Sequence, residues 1–204
     1  SIHANYSYKY FGNEKGIVIY SFIDEMHRLF YSTSFSSSQR EAPYVIDGLM
    51  HNQVVESDIH STDSHGFSEI IFALTHLLGI LFAPRIEDFQ SLIFYIFPGM
   101  NVESLKNYHI KVGNPIQTKL IEEQWDEIMR MVVSIKLKHT TASTLLKRLG
   151  SYSQQHRLYL ALRELGRVVR TLFLLKYMDD QMLRKRINQQ NNKTENSHQF
   201  AKAV

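Results

Sequence analysis

Two residue patterns share this chain, and they change over near residue 116. Before that point, short runs rich in β-branched and aromatic residues alternate with apolar segments of helical period. After it, every segment reads as helix. A chain written in this order has to build a sheet covered by helices, followed by a wholly helical part.

The run Gly16-Ile17-Val18-Ile19-Tyr20-Ser21-Phe22-Ile23 predicts a strand, with a turn before it at Asn13 and Gly16, and residues 29–35 predict a second. Pro43 opens an expected helix that ends near Gln53, with Val45, Leu49 and Met50 turned inward. Residues 58–62 predict a short strand ending at Asp63. Residues 67–78 predict a strongly apolar helix stopped by Gly79, and residues 80–83 a short buried strand. Downstream, Ile121, Trp125, Ile128 and Met129 recur at helical spacing, as do Leu162, Leu165, Val169 and Leu172. Gly150-Ser151-Tyr152-Ser153 marks a break between helices. The polar residues 188–192 read as a loop, with a last helix starting near Lys193.

Several functional classes are excluded early. The chain has no cysteine, so disulfides, cysteine-bound metals and thiol nucleophiles are ruled out. No charged segment leads into an apolar one at the start, so a signal peptide is not expected. The longest apolar stretch, 70–83, is interrupted by Thr75, His76 and Gly79, whereas a membrane-spanning helix needs about 20 apolar residues. The expected setting is the cytoplasm, without membrane attachment. The formal net charge of +3 conceals a division. Residues 1–129 hold 8 Lys/Arg against 16 Asp/Glu, and residues 130–204 hold 15 against 4. The basic half fits a polyanionic partner, and the same split fits two halves that attract each other.

Two carboxylates stand out. Asp63 follows an expected strand and precedes Gly66, a place where active-site groups gather in α/β sheets, although Asp63 or Ser64 could equally cap the next helix. Glu195 lies three residues after Asn192, which is also the spacing of a capping box. His60, Asp63, His65 and His76 could be imagined as zinc ligands, but His60 and Asp63 would leave a strand on opposite faces. His76, on the apolar helix, reads better as a core histidine. Arg163, Arg167 and Arg170 line one helix face, and Arg184-Lys185-Arg186 forms a cluster. Such groups neutralise phosphates, and they also occur as solvated helix faces.

The ordered blocks Lys9-Tyr10-Phe11-Gly12, Tyr44-Val45-Ile46-Asp47-Gly48-Leu49, Thr62-Asp63-Ser64-His65-Gly66-Phe67, Phe72-Ala73-Leu74-Thr75-His76-Leu77-Leu78-Gly79, Phe82-Ala83-Pro84-Arg85-Ile86, Ala161-Leu162-Arg163-Glu164-Leu165-Gly166-Arg167, Arg170-Thr171-Leu172-Phe173 and Asn192-Lys193-Thr194-Glu195 carry a further signal. Together they resemble the C-terminal catalytic region of the Tn3-type replicative transposases. The resemblance implies an α/β fold, a ribonuclease-H-like core with a long all-helical insertion before the last catalytic Glu. It divides the chain into a partial core over 1–90, a mostly helical insertion over 91–190, and the start of a core helix over 191–204.

It further implies two Asp and one Glu holding two Mg2+ ions, which serve cleavage at transposon ends and attack of the freed 3′ hydroxyl on target DNA. Asp63 then matches the second Asp and Glu195 the Glu, in place of the capping readings. Arg163, Arg167, Arg170, Arg184, Lys185, Arg186 and Lys193 are the expected DNA contacts, with packing as the alternative for Arg163 and Arg167, which match family positions, and paired subunits acting as a homodimer are expected of the complete enzyme. The sequence departs from the family at Ser64, where Thr is usual, and at Thr194, where Gly is usual. The family's first Asp would lie upstream of Ser1, while Asp24 and Asp47 match positions outside the triad. The chain is therefore expected to be a fragment that does not cut DNA by itself. The alternative is a catalytically dead DNA-binding remnant of a decayed element.

Overall fold

The structure is a computed structural model, and it describes residues 5–6, 15–23, 29–36, 42–51, 68–86, 88–103, 110–151 and 156–203. Strand β1 (Asn5–Tyr6) pairs antiparallel with β2 (Lys15–Ile23), which pairs antiparallel with β3 (Leu29–Ser36). The second pairing runs from Ile17 opposite Ser36 to Ile23 opposite Leu29, with an irregularity at Phe22 and Ile23. Both long strands fall where β-branched and aromatic residues concentrate. Side chains alternate across the sheet, so Ile19 faces solvent while Phe22 is buried.

Helix α1 (Ala42–His51) makes contacts in three directions. Val45 and Leu49 bury against Phe22 beneath the hairpin. Gly48 lets the Phe22 ring lie on the helix, since a Cβ there would fall 2.1 Å from Phe22 Cζ. Ile46 points instead into the main core. Asp47 reaches the start of α5 (Ala142–Ser151), where Oδ1 accepts the Ala142 N–H at 2.7 Å and the Ser143 N–H at 3.3 Å. Those are N–H groups that a helix start leaves unpaired, so Asp47 caps a helix far along the chain.

The main core forms around α2 (Glu69–Leu77) and α6 (Arg157–Asp179). Ile70, Ile71, Phe72, Ala73 and Leu74 of α2 are all buried. Thr75 is buried too, because its hydroxyl donates back to the Ile71 carbonyl at 2.6 Å. The two helices meet backbone to backbone at Gly166. A Cβ there would lie 1.7 Å from the Glu69 carbonyl oxygen, so only glycine permits this approach. Gly79, at φ +80°, ends α2 as the sequence predicts. The Ile80 N–H bonds back to the Thr75 carbonyl at 2.8 Å and closes the turn.

Beyond α2, the short strands β4 (Ile93–Phe94) and β5 (Lys111–Val112) pair in parallel. Helices α3 (Thr118–Glu123), α4 (Trp125–Lys136), α5, α6 and α7 (Gln181–Ala203) follow. The architecture is mixed α/β and mostly helical, with small sheets, as the change of pattern near residue 116 implies.

Five details differ from the sequence expectations. His76 is exposed, because its neighbour Thr75 occupies the buried side of α2. Residues 80–83 form no strand beyond an isolated bridge at Phe82, and Leu81 faces solvent. The helical run through Trp125 is broken at Gln124, which leaves the indole 42% exposed at the start of α4. Leu172 is exposed, since the buried stripe of α6 moves to Phe173 and Leu174. The polar residues 188–192 are helical. Helix α7 begins at Gln181 and runs unbroken through them, because Leu183, Ile187 and Asn191 bury one side at four-residue steps. Packing of that side outweighs the weak intrinsic preference of Asn for helix. The expected strand over 58–62 lies outside the described residues.

Candidate active site

Glu195 owes its position to the row of buried residues on α7. Leu183, Ile187 and Asn191 repeat at one helical turn plus a small drift, and Glu195 is the next step of that row. Its carboxylate therefore leaves the helix on the side that packs against the rest of the molecule. Helix α7 continues well upstream of Asn192, so no helix start exists there for Asn192 to cap. The capping-box reading of Asn192 and Glu195 is thereby overturned.

Opposite Glu195 is the segment after Gly79. Phe82, Ala83, Pro84 and Ile86 are buried and hold its backbone, so Arg85 projects from a fixed base. Its Nη1 donates to Glu195 Oε1 at 3.2 Å, linking side chains 110 positions apart. The pair is open to water, with the arginine side chain 26% and the carboxylate 58% exposed. The single long contact uses one carboxylate oxygen. Oε2 of Glu195 has no partner among the described residues.

Asp63, His60 and His65 lie outside the described residues. Lys193 belongs to α7. Among the described residues, no three acidic or histidine side chains come together as a cation site. Glu195 is the kind of donor that a hard divalent cation takes. Glu195 offers carboxylate oxygens to solvent, and a positive group already stands against one of them. A complete cage would need further oxygen ligands, of which Asp63 is the expected one.

The basic residues separate into two groups. Arg163, Arg167 and Arg170 do not form an open cationic face. Arg167 Nη1 donates to Glu164 Oε1 at 2.5 Å, and its guanidinium lies over the Tyr95 ring at 4.6 Å from the centroid. Arg170 Nη1 donates to Glu69 Oε1 at 3.1 Å, which ties α6 to the start of α2. Arg163 is half-buried. Glu164 is fully buried, and its second oxygen accepts the Gln117 N–H at 3.1 Å, so one carboxylate fixes both Arg167 and the entry to α3. Arg184 donates to the Tyr177 and Met178 carbonyls at 2.7 and 2.6 Å, satisfying the end of α6. Lys185 and Arg186 point into solvent.

The Tn3 transposase DDE domain family matches residues 1–204, the whole chain. The chain belongs to this family. Among curated relatives, the transposase for transposon Tn501 from Pseudomonas aeruginosa is 38% identical over 99% of this chain and 20% of its own length. The transposase for Tn1546 from Enterococcus faecium is 36% identical over 100% of this chain and 20% of its own. That for Tn2501 from Escherichia coli is 41% identical over 95% and 19%. The chain thus spans about a fifth of the length of these transposases. No solved structure gives a significant match. Among the described residues, no helix is long and apolar enough to cross a membrane.

Within this DDE domain, the structure adds two residues that the sequence reading did not single out. Arg85 was visible only as part of a block, because its partner lies at the far end of the chain. Glu164 carried a signal that could have found it. It is one of four acids among the last 75 residues, and it stands three positions before an arginine on a helix.

Proposed function

We propose that this chain is the catalytic portion of a bacterial transposase that cuts DNA at transposon ends and joins the freed 3′ hydroxyls to target DNA. The observation that carries this reading is the family match over the whole chain, with Glu195 held at the surface opposite the Arg85 block. In this reading the sheet and α2 belong to a ribonuclease-H-like core over residues 1–90. Residues 91–190 are its helical insertion, and the segment from residue 191 onward returns to the core. Asp63 and Glu195 serve as two of the carboxylates for a pair of Mg2+ ions.

When bound, such ions make a water or a 3′ hydroxyl nucleophilic and stabilise the leaving oxygen of an in-line displacement. The chain's own residues do the rest. Helix α7 presents Glu195 from a packed row, and α2 with its Gly166 contact keeps the surroundings rigid. Lys193 remains a candidate DNA contact, Arg184 is engaged by the end of α6, and Lys185 and Arg186, pointing into solvent, are the side chains best placed to meet phosphates. Arg163, Arg167 and Arg170 support the DNA-facing side from within. The partners are transposon-end and target DNA, handled by a homodimer in the bacterial cytoplasm.

The test uses the transposase that carries these residues, assayed for Mg2+-dependent nicking of a plasmid bearing its terminal repeats. Asp63→Ala and Glu195→Ala should each lower nicking by about 100-fold or more, beyond the loss typical of residues that merely support a metal ligand. DNA binding and folding should survive. Unchanged nicking in either variant removes that residue from the site. Binding without nicking in the unmutated protein supports the remnant reading instead.

A further inference from the structure

Arg85 is the positive group that stands at the Glu195 carboxylate, and the geometry of the pair shows how firmly. The contact is a single hydrogen bond of 3.2 Å, not a two-pronged fork, and both partners are reached by water. Exposed pairs of this kind are worth about 0.2–1 kcal/mol. A compact divalent cation carries twice the charge and binds carboxylate oxygen directly. Arg85 therefore neutralises Glu195 without holding it tightly, and Glu195 keeps Oε2 open among the described residues.

We propose that Arg85 is an exchangeable counter-cation. It holds the Glu195 carboxylate while no divalent ion is present, and yields it when one arrives. The buried flanks of Arg85, Pro84 and Ile86, keep its base in place throughout, so the exchange needs only a side-chain movement. The guanidinium stays beside the site throughout, a positive charge that an incoming phosphate would meet. This inference rests on the reading of Glu195 as a metal ligand, and the two fail in different ways.

The experiment is a titration of the transposase that carries these residues with Mn2+, read by paramagnetic broadening of a fluorine label placed on α7 near Glu195. Four forms are compared: unmutated, Arg85→Gln, Arg85→Lys and Glu195→Gln. The broadening midpoint in Arg85→Gln is expected at about 2- to 5-fold lower Mn2+ than in the unmutated chain. Arg85→Lys, which keeps the charge but moves it to the end of a different side chain, should fall between them and serves if Arg85→Gln does not fold. Glu195→Gln should abolish local broadening. An unchanged or higher midpoint in both Arg85 variants overturns the exchange and leaves the ligand reading intact. Broadening that persists in Glu195→Gln, or that is absent from every form, overturns the ligand reading and the exchange with it.

Discussion

Of the glutamate–arginine pairs among the described residues, two are of opposite kind. At the centre, Glu164 is wholly enclosed and both its oxygens are used, one by Arg167 and one by the Gln117 N–H. At the margin, Glu195 meets Arg85 through one oxygen and keeps more than half its surface in water. A charge taken out of water is tolerated only when its hydrogen-bonding capacity is filled, so the central pair acts as a structural joint. A charge left in water costs little and can change partners, so the marginal pair suits chemistry. The two pairs show that burial, more than residue type, decides whether a carboxylate is fixed in place or free to change partners.

The sharpest way to break the comparison is Glu164→Ala. It strands Arg167 and the Gln117 N–H, and should destabilise the domain by about 3–5 kcal/mol in urea unfolding. A loss below about 1 kcal/mol would erase the distinction between the pairs. Asp47→Ala occupies the middle ground. It removes the cap of α5 and should lower stability by about 0.5–2 kcal/mol, measurable as a lower urea midpoint with unchanged slope. Glu195→Ala should then change stability by less than about 1 kcal/mol in the same assay, however large its effect on cleavage.

The smallest effect concerns pH. The Tyr44 ring stacks on Phe35 with centroids 4.3 Å apart, and burial raises its phenol above the ordinary value of 10.0, with the negative charge of Asp47 adding to the shift. A raised folded value means that the folded state holds the proton more tightly. This contribution is complete below about pH 10 and is lost as pH climbs through the raised value. Tyr44→Phe should flatten the alkaline decline. An identical decline in both proteins would assign it to other groups.

How far the sequence could be read depended on the distance over which each feature is decided. Strands β2 and β3, the Pro43 helix and the Gly79 stop are set by neighbouring residues, and all appear as expected. The helical character after residue 116 was equally plain. Helix α7 was misread at residues 188–192 because its packing partners lie elsewhere in the chain. His76 was misread because an apolar helix does not announce which of two adjacent polar residues turns inward. Thr75 does, because it can satisfy its own hydroxyl within the helix. Of the candidate site, Glu195 was legible only through the resemblance, since its local spacing imitates a cap. Arg85 gave no local sign of a partner 110 positions away. The arginine stripe reads from sequence as either a phosphate-binding or a solvated face, and its ion pairing is hidden there because Glu69 and Tyr95, which receive Arg170 and Arg167, come from other segments.

The close approach of α2 and α6 at Gly166 also governs the order of events at the ribosome. Helix α2, whose apolar residues are almost wholly enclosed in the finished domain, is synthesised long before the helix that covers it. Its Glu69 waits 101 residues for Arg170. At about 5–20 residues per second, that interval is on the order of 5–20 s. During that time the stickiest segment of the chain has no permanent cover. The nascent domain is thus a natural client for a chaperone that shields apolar segments, and its yield in cells should depend on how quickly α6 is delivered.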